Sequence, residues 1–288
     1  MELLSTDQQA FRICQLTDLH LGSRPFSVED QETLKRIGRV LASEHFDLII
    51  ITGDLIWGNR IKQPEEVLSY FYRMFDQIDT PIAVTYGNHD TEGDFDRKRL
   101  RELEKLIKHP ASKYDIFVFH DLENYVLKVF DRNSRELSHL LYVWDSGAYS
   151  SNNRMGLYEP INPEQIRWFA QLPEPVNPDR ADLGFIHIPI PEFAQAQNLI
   201  RDGQIAEKVG SPEINSGLFY SLLQKENFKA LFAGHDHDNN FTGSYKGIDL
   251  VYGNVSGYNT YGKLARGYKL IELYPDHAIY KNIPFVID

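Results

Sequence analysis

Apolar runs of strand length alternate with amphipathic segments in the first part of the chain. Apolar residues recur at helical spacing from about Ser27, from about Pro64 and after Asp94, and Ser27 with Asp30 has the spacing of a capping box at a helix start. This alternation predicts parallel strands joined by right-handed crossovers. The runs of strand length are FRICQLT, FDLIIIT and PIAVTY, and the second is apolar on both faces, as in a buried parallel strand.

The later part of the chain is richer in strands. They are too many for one sheet, so we expect an α/β fold with two sheets packed face to face and helices outside, the later helices near 162–171 and 213–226. No linker composition or internal repeat divides the chain, which predicts a single domain over residues 1–288. The later strands are predicted at YDIFVFH, YVLKVF, LLYVWD, LGFIHI, KALFAG, IDLVYGN, GYKLIEL and AIYKNI.

Charge and composition narrow the choice of partner. A chain of 288 residues with 42% hydrophobic residues can bury a full core, and its formal charge of −11 weighs against a nucleic-acid or anionic membrane surface. A phosphate-bearing substrate would therefore need a local positive site. The basic cluster DRKRLREL at 96–103 has apolar residues at helical spacing, so it is either a solvated helix face or a phosphate-contacting patch.

The single cysteine, Cys14, lies in an apolar run and excludes an intrachain disulfide. The first residues lack the basic and apolar regions of a secretion signal, and no apolar stretch reaches the roughly 18 residues of a spanning helix. We therefore expect a cytoplasmic protein without a membrane anchor.

Five short polar motifs follow apolar strands, namely TDLH, TGDL, YGNHD, FIHIP and AGHDH. Strand ends are where an open α/β sheet collects its ligands. The set is rich in imidazole and carboxylate and has no thiolate, which suits divalent Mn, Fe, Zn or Ni. The motifs contribute Asp18, His20, Asp54, Asn88, His89, Asp90, His187, His235, Asp236 and His237.

Each motif alone is a weak signal, but their order resembles the calcineurin-like metallophosphoesterases over about residues 11–262. The chain is more similar still to a branch of short purple-acid-phosphatase-like proteins of plants and fungi. The resemblance implies a four-layer sandwich of two mixed β-sheets flanked by helices. The segments that carry the closer resemblance are DSGAYS, FIHIPIPEF, INSGLF, LFAGHDHDNNF and YGNVSGYNTYG.

The resemblance also implies a dinuclear metal site. Two ions about 3.5 to 4 Å apart need a shared carboxylate, here Asp54, and a bridging water between them becomes the hydroxide nucleophile near neutral pH. Two divalent ions (+4), two aspartates (−2) and one hydroxide (−1) leave about +1 to face a phosphate substrate. The implied ligands are Asp18, His20, Asp54 and His237 for one ion and Asp54, Asn88, His187 and His235 for the other.

The resemblance gives His89 the role of protonating or stabilising the leaving-group oxygen without binding metal. It gives Asp90 the role of orienting the His89 imidazole, although Asp90 has an alternative as a helix cap. Asp236 either orients a ligand histidine or faces solvent.

The chain departs from the coloured purple acid phosphatases at two positions. Their pattern has glycine where His20 stands and a tyrosine where Trp57 stands, and an indole cannot be a phenolate ligand. We therefore expect exchangeable divalent ions and no charge-transfer colour.

The function that these expectations favour is that of a metal-dependent phosphomonoesterase acting on a small phosphorylated substrate or a phosphoprotein. The alternatives are a phosphodiesterase acting on cyclic nucleotides or small diesters, and an inactive scaffold that only binds a partner. Candidate cleft residues are Trp57, Tyr149, Tyr158, Tyr258 and Tyr261, with Arg60 or Arg154 as a phosphate contact.

Overall fold

The strands and helices follow one another in the order that the sequence predicts for an α/β chain. The computed structural model describes residues 1–6, 9–173 and 180–286. Helices in the described residues are α1 (Val28–Ser43), α2 (Pro64–Arg73), α3 (Arg97–Leu103), α4 (Pro163–Gln171), α5 (Phe193–Ala196) and α6 (Leu218–Leu223). Strands there are β1 (Leu3–Ser5), β2 (Phe11–Leu16), β3 (Leu48–Thr52), β4 (Ile82–Thr85), β5 (Lys113–Phe119), β6 (Leu122–Asp131), β7 (Leu137–Val143), β8 (Asp182–Phe185), β9 (Ile200–Asp202), β10 (Phe228–Ala233), β11 (Thr242–Tyr245), β12 (Ile248–Tyr252), β13 (Gly267–Leu273) and β14 (Ala278–Pro284).

Two mixed sheets contain these strands. The smaller sheet has the order β14-β13-β2-β3-β4, in which β2, β3 and β4 are parallel and β13 and β14 are antiparallel to their neighbours. The larger sheet has the order β1-β6-β7-β8-β10-β12-β11-β9, with β5 also paired to β6. Its strands β7, β8, β10 and β12 are mutually parallel. The two-sheet prediction is confirmed, and the parallel run of the first three long strands is confirmed with it.

Four layers result from the way apolar side chains alternate along the strands. Residues such as Ile50 and Ile271 of the smaller sheet pack against Leu141 and Phe185 of the larger sheet, and this cluster forms the core between the sheets. The outer face of the smaller sheet packs on α1 to α3, and the outer face of the larger sheet packs on α4 to α6. The described residues include no helix that has both the length and the apolar character to cross a membrane.

Local sequence signals account for several boundaries. Helix α1 begins with the predicted capping box, in which the Ser27 side chain accepts from the Asp30 N–H while the Asp30 carboxylate accepts from the Ser27 N–H. The Asp96 side chain caps α3 by accepting from the Arg99 N–H at 2.7 Å. The carboxyl ends of β2, β3, β4, β8 and β10 lead directly into the five polar motifs.

Candidate metal centre

Six of the predicted ligands form two adjoining groups, which lie in the loops after β2, β3, β8 and β10. Within each group, one ligand atom from each residue lies within 4.8 Å of the others, and every residue of both groups is buried. The first group is Asp18, His20 and His237, and the second is Asp54, His187 and His235.

The first group has the spacing of ligands around one ion. The Nε2 atoms of His20 and His237 are 3.1 Å apart, and Asp18 Oδ1 lies 3.3 Å from the second and 3.9 Å from the first. Two ligand atoms about 2.1 Å from a common metal are about 3.0 to 4.0 Å apart at the usual angles. Two imidazole lone pairs face each other at this distance only with a proton or a cation between them, so the group fits an ion.

Asp54 faces both groups. Its Oδ2 lies 3.6 Å from His20 Nε2 in the first group and 3.1 Å from His187 Nε2 in the second. Its Oδ1 accepts the backbone N–H of His89 at 2.9 Å, which fixes the carboxylate plane. Asp54 therefore occupies the position that a bridging ligand requires.

Several buried polar atoms at the centre have no hydrogen-bond partner in the described protein. They are Asp54 Oδ2, Asn88 Oδ1, His187 Nε2 and His235 Nδ1. Leaving such atoms unsatisfied costs free energy, and three of them belong to the residues of the second group, which indicates a bound ion that would satisfy them. Because the donors are carboxylate, amide and imidazole, the residues fit two divalent ions of the Mn, Fe, Zn or Ni type.

Contacts behind the ligands fix their orientation. His187 Nδ1 lies 2.8 Å from the carbonyl oxygen of Thr52, so it donates its proton there and leaves Nε2 to face Asp54. Burial alone would lower the pKa of His187, but the Asp54 carboxylate outweighs it and raises that pKa to about 9. Burial lowers the pKa of His20 and of His235 to about 3, so both imidazoles are neutral ligands at pH 7.

The backbone is strained at four ligands. The φ angles are 54° at Asp18, 47° at His20, 52° at Asp54 and 79° at His235, all in the left-handed region that few non-glycine residues adopt. Gly87 has a different constraint, because a Cβ there would lie 2.1 Å from Asp54 Oδ1. The chain thus accepts local strain where it brings side chains to the centre.

His89 lies beside the centre and outside both groups. Its side chain is 23% exposed, and its ring centroid lies 5.1 Å from that of His20 and 4.8 Å from that of Trp57. Such a position lets it reach a bound substrate while the ligand histidines stay buried. Its role at the leaving group stays a prediction.

The prediction that Asp90 orients the His89 imidazole is wrong. The Asp90 carboxylate instead accepts four backbone N–H groups, at distances of 2.8 to 3.2 Å. Nor does Asp90 cap α3, whose cap is Asp96. Asp90 instead fastens the loop after β4 to the loop after β3, which is a structural role. The four donors belong to Asp54, Leu55, Ile56 and Gly87.

Glu92 is a functional candidate that the sequence analysis missed. Its Oε2 lies 2.8 Å from His89 Nδ1, at ion-pair distance although not aligned as a hydrogen bond. Its Oε1 accepts the Tyr149 hydroxyl at 3.0 Å, and that hydroxyl accepts from Asn88 Nδ2, also at 3.0 Å. The available signal was the i to i+3 spacing from His89 to Glu92 on a helical turn.

Asp236 neither orients a ligand histidine nor faces solvent. It is buried, accepts the Gly210 N–H at 3.0 Å, and receives a short hydrogen bond from the Tyr252 hydroxyl. Burial raises the pKa of Asp236 to about 6. Its role is to hold the loop around Gly210 beside His235.

The basic cluster of α3 was predicted to be either a solvated helix face or a phosphate-contacting patch, and neither describes it completely. Arg97 is buried and pairs with Asp145 at 2.8 Å, and its other nitrogens donate to the carbonyl oxygens of Gly87 and Gly147. It therefore supports the loop that carries Asn88. Arg99 is on the solvated side, where it pairs with exposed glutamates.

Aromatic rings cover three of the four ligand histidines. Trp57 packs on His20 with ring centroids 4.1 Å apart. Tyr158 meets His235 edge-on at 4.6 Å, and Tyr261 stacks on His237 at 4.1 Å. Of the other cleft candidates, Tyr149 contacts Asn88, Tyr258 packs away from the centre against Phe285, Arg60 lies 4.6 Å above the Trp57 ring, and Arg154 is exposed.

A two-sheet sandwich that gathers two ligand groups around a shared aspartate, with a histidine at the rim, defines a dinuclear metal-dependent hydrolase. The sequence pattern of the family described as "Calcineurin-like phosphoesterase" matches residues 11–239. The chain belongs to this family and is a metallophosphoesterase, as the sequence analysis predicted.

Relatives and solved structures agree with this assignment. An Arabidopsis thaliana protein named probable inactive purple acid phosphatase 29 is 30% identical over 88% of this chain and 73% of its own length. Phosphatase DCR2 of Saccharomyces cerevisiae is 29% identical over 83% of this chain and 46% of its own length. A dimetal phosphatase from Danio rerio has the same fold, with a TM-score of 0.65 at 14% identity, covering 96% of this chain and 97% of that one.

Proposed function

We propose that the protein is a phosphomonoesterase that works with two divalent ions of the Mn, Fe, Zn or Ni type. The observation that carries the proposal is the convergence of unpartnered ligand atoms from Asp54, His187 and His235 beside the group that contains His20. Two such ions, when bound, polarise a phosphoryl oxygen and lower the pKa of water enough to supply a nucleophile at neutral pH.

The protein's own residues have separate roles in this proposal. Asp54 links the two ligand groups, because one of its carboxylate oxygens faces both. His89 donates a proton to the leaving-group oxygen, since its ring lies beside the centre and is partly exposed. Arg60 is the candidate phosphate contact, because its guanidinium packs on Trp57, which in turn packs on His20.

The charge distribution supports an anionic substrate at this one place. The chain carries a net charge of −11, and Glu92 and Glu207 lie around the centre, where they hold the hydroxyls of Tyr149 and Tyr261. Only two aspartates, Asp18 and Asp54, belong to the ligand groups. The neutral imidazole and amide ligands leave most of the ions' charge available to phosphate.

Two alternatives make different predictions. A phosphodiesterase would share every ligand, and a binding scaffold without activity would fit a relative that is named probable inactive. Against the scaffold, six of the seven predicted ligands form the two groups, and Oδ1 of the seventh, Asn88, is buried with no hydrogen-bond partner in the described residues.

The experiment is an activity panel on protein loaded with excess Mn, using 4-nitrophenyl phosphate, an alkyl phosphate, bis(4-nitrophenyl) phosphate and a cyclic nucleotide. We expect turnover of the monoesters and loss of that turnover in Asp54→Asn. Glu2→Gln is the control for a lost negative charge, because Glu2 is exposed, pairs with Arg135 and precedes β1 at the edge of the larger sheet. Preference for the diesters would select the first alternative, and inactivity with both ions bound would select the scaffold.

The partner and location are part of the same proposal. We propose a small phosphorylated molecule or a phosphoprotein as substrate, because the rim offers aromatic faces and the Arg60 guanidinium stacks on Trp57 beside His20. A cytoplasmic location is proposed from the sequence, in which Cys14 is the one cysteine, and the structure buries it.

A further inference from the structure

We propose that Asn259, Thr260 and Tyr261 form a positioning segment for His20 and His237, and so set the affinity of one of the two metal positions independently of the other. The inference rests on the dinuclear site of the proposed function. The segment comes from the motif YGNVSGYNTYG, none of whose residues belongs to either ligand group. We call residues 259–261 the clamp.

Thr260 fixes the orientation of His237. Its Oγ1 lies 2.9 Å from His237 Nδ1, while Nε2 of the same ring points to His20 Nε2, 3.1 Å away. An imidazole that offers Nε2 to a metal carries its proton on Nδ1, so His237 donates to the Thr260 hydroxyl. Tyr261 stacks on the same ring at 4.1 Å with an interplanar angle of 24°, which restricts its rotation further.

Asn259 acts on the other histidine of the group. Its side-chain amide donates to the carbonyl oxygen of His20 at 3.3 Å and to Asp30 Oδ1 at 3.0 Å. Its backbone oxygen accepts from Trp57 Nε1 at 2.7 Å, and the Trp57 ring packs 4.1 Å from that of His20. Asn259 therefore holds both the backbone of His20 and the ring that covers its side chain.

The clamp is itself held firmly. One Arg266 nitrogen donates to the carbonyl oxygens of Thr260 at 3.1 Å and Tyr261 at 2.8 Å. The Tyr261 hydroxyl donates to Glu207 Oε2 at 3.0 Å, which ties the clamp to the loop before α6. A segment with this many anchors can hold a ring nitrogen at a fixed position, as a ligand support requires.

The second ligand group has different supports. His187 is held by the carbonyl oxygen of Thr52, and Asn88 by the Tyr149 hydroxyl. In the part of the chain that the structure describes, no hydrogen bond or ring contact joins the clamp to these residues. Damage to the clamp should therefore weaken one metal position and leave the other.

The test is the metal content of Thr260→Val, which keeps the shape of threonine and removes the acceptor for His237. Metal-free protein is dialysed against a series of free Mn concentrations, and bound Mn is measured by elemental analysis. We expect two ions in the wild type, and in Thr260→Val one ion with unchanged affinity and one weakened about 10- to 100-fold. Thr260→Ser restores the hydroxyl and should restore the second ion.

The matched control is Thr80→Val. Thr80 also has one side-chain hydrogen bond, which its hydroxyl donates to the carbonyl oxygen of Phe46 at 3.1 Å. It precedes β4 and so lies at the opposite end of the parallel strands from the ligand groups. It should bind two ions as the wild type does. If Thr260→Val fails to fold, Tyr261→Leu replaces it, because Tyr261 is 53% exposed and its loss also frees the His237 ring.

Three outcomes would overturn the inference. These are unchanged binding of both ions in Thr260→Val, equal weakening of both, or fewer than two ions in the wild type. The inference and the proposed function fail separately. If the protein binds two ions, one of which depends on Thr260, but hydrolyses none of the substrates, the clamp is supported and the phosphomonoesterase is rejected.

Discussion

Glu92 Oε2 lies 2.8 Å from Nδ1 of His89, the residue proposed to protonate the leaving group. The second oxygen of the same carboxylate holds the Tyr149 hydroxyl, which in turn holds the side-chain amide of Asn88. A metal ligand and the candidate acid are thus connected through one glutamate.

Replacing Glu92 by Gln tests this connection. The amide keeps the shape but loses the charge beside the imidazole, so we expect about a 10-fold loss of turnover on an alkyl phosphate. Metal content should stay at two ions, because Glu92 belongs to neither ligand group. Elemental analysis and steady-state kinetics measure the two effects. Glu65→Gln, which breaks an exposed pair with Arg99, is the control and should change neither.

His89→Ala separates proton donation from metal binding. We expect both ions to remain and turnover to fall by about 10² to 10⁴ on an alkyl phosphate, whose leaving group needs a proton. An aryl phosphate leaves more readily, so its loss should be much smaller. Kinetics on the two substrates with parallel metal analysis provide the measurement. Equal losses on both substrates, or a missing ion, would make His89 a positioning residue or a ligand.

The contrast between Asp90 and Glu92 shows which features of the site could not be predicted from the sequence. The strands, the capping box at Ser27 and the motifs that hold the ligands follow from local patterns, and the structure brings those ligands together. Which carboxylate meets an imidazole depends on the path of the turn. Here the turn sends Asp90 toward the backbone N–H groups of Asp54 and its neighbours, and leaves Glu92 on the side of His89.

Contacts between residues that are distant in the sequence could not be predicted either. Arg97 appeared in the sequence as part of a basic cluster, yet it is buried and ties the loop of Gly87 to that of Gly147. Thr260 lies 23 residues from His237 and reaches it because β12 runs parallel beside β10, so that the loops after these two strands meet at one end of the sheet. No residue spacing encodes such contacts, since they depend on tertiary packing.

Asp54→Asn tests the shared ligand. Asparagine tolerates the positive φ of 52° at this position and can still accept the His89 N–H, so the fold should persist. Removing the charge that faces both groups should weaken both ions together. We expect chelator to lower the Tm of the wild type, because ions that bind only the folded state stabilise it, and to have little effect on the variant. Loss of just one ion would show that Asp54 does not bridge.

The presence of Trp57 allows a prediction about the visible absorption of the iron-loaded protein. The indole packs on His20 and donates its N–H to Asn259, so it supplies no phenolate. Protein loaded with ferric iron should lack the visible band of a tyrosinate-to-iron transition. The hydroxyl of Tyr149 lies 3.0 Å from Asn88 Nδ2. A strong band that Tyr149→Phe abolishes would place this phenol on the metal and revise the ligand set.

Lys269, on β13, makes stability depend on pH. The side chain is fully buried, with Nζ donating to the carbonyl oxygen of Asn240 at 3.3 Å. Burial lowers its pKa from 10.5 to about 7, and Asp202 offsets only part of this shift. Between these two values the unfolded chain binds a proton that the folded protein does not, so Lys269 makes the folded state less stable as pH falls from about 10 to 7.

Lys269→Met removes this dependence while filling the same space. At pH 7 the free energy of unfolding of the variant should exceed that of the wild type by about 1 to 4 kcal/mol. The pKa shift alone would give a larger gain, but the variant also loses the hydrogen bond to Asn240. The difference should shrink steadily as pH rises to 10, because that pH is close to the pKa of 10.5 at which the unfolded amine also loses its proton. Urea unfolding at pH 7, 8.5 and 10 in chelator measures it without contributions from bound ions. A difference that is constant across this range would mean that Lys269 is charged in the folded protein and that a carboxylate or ordered water compensates it.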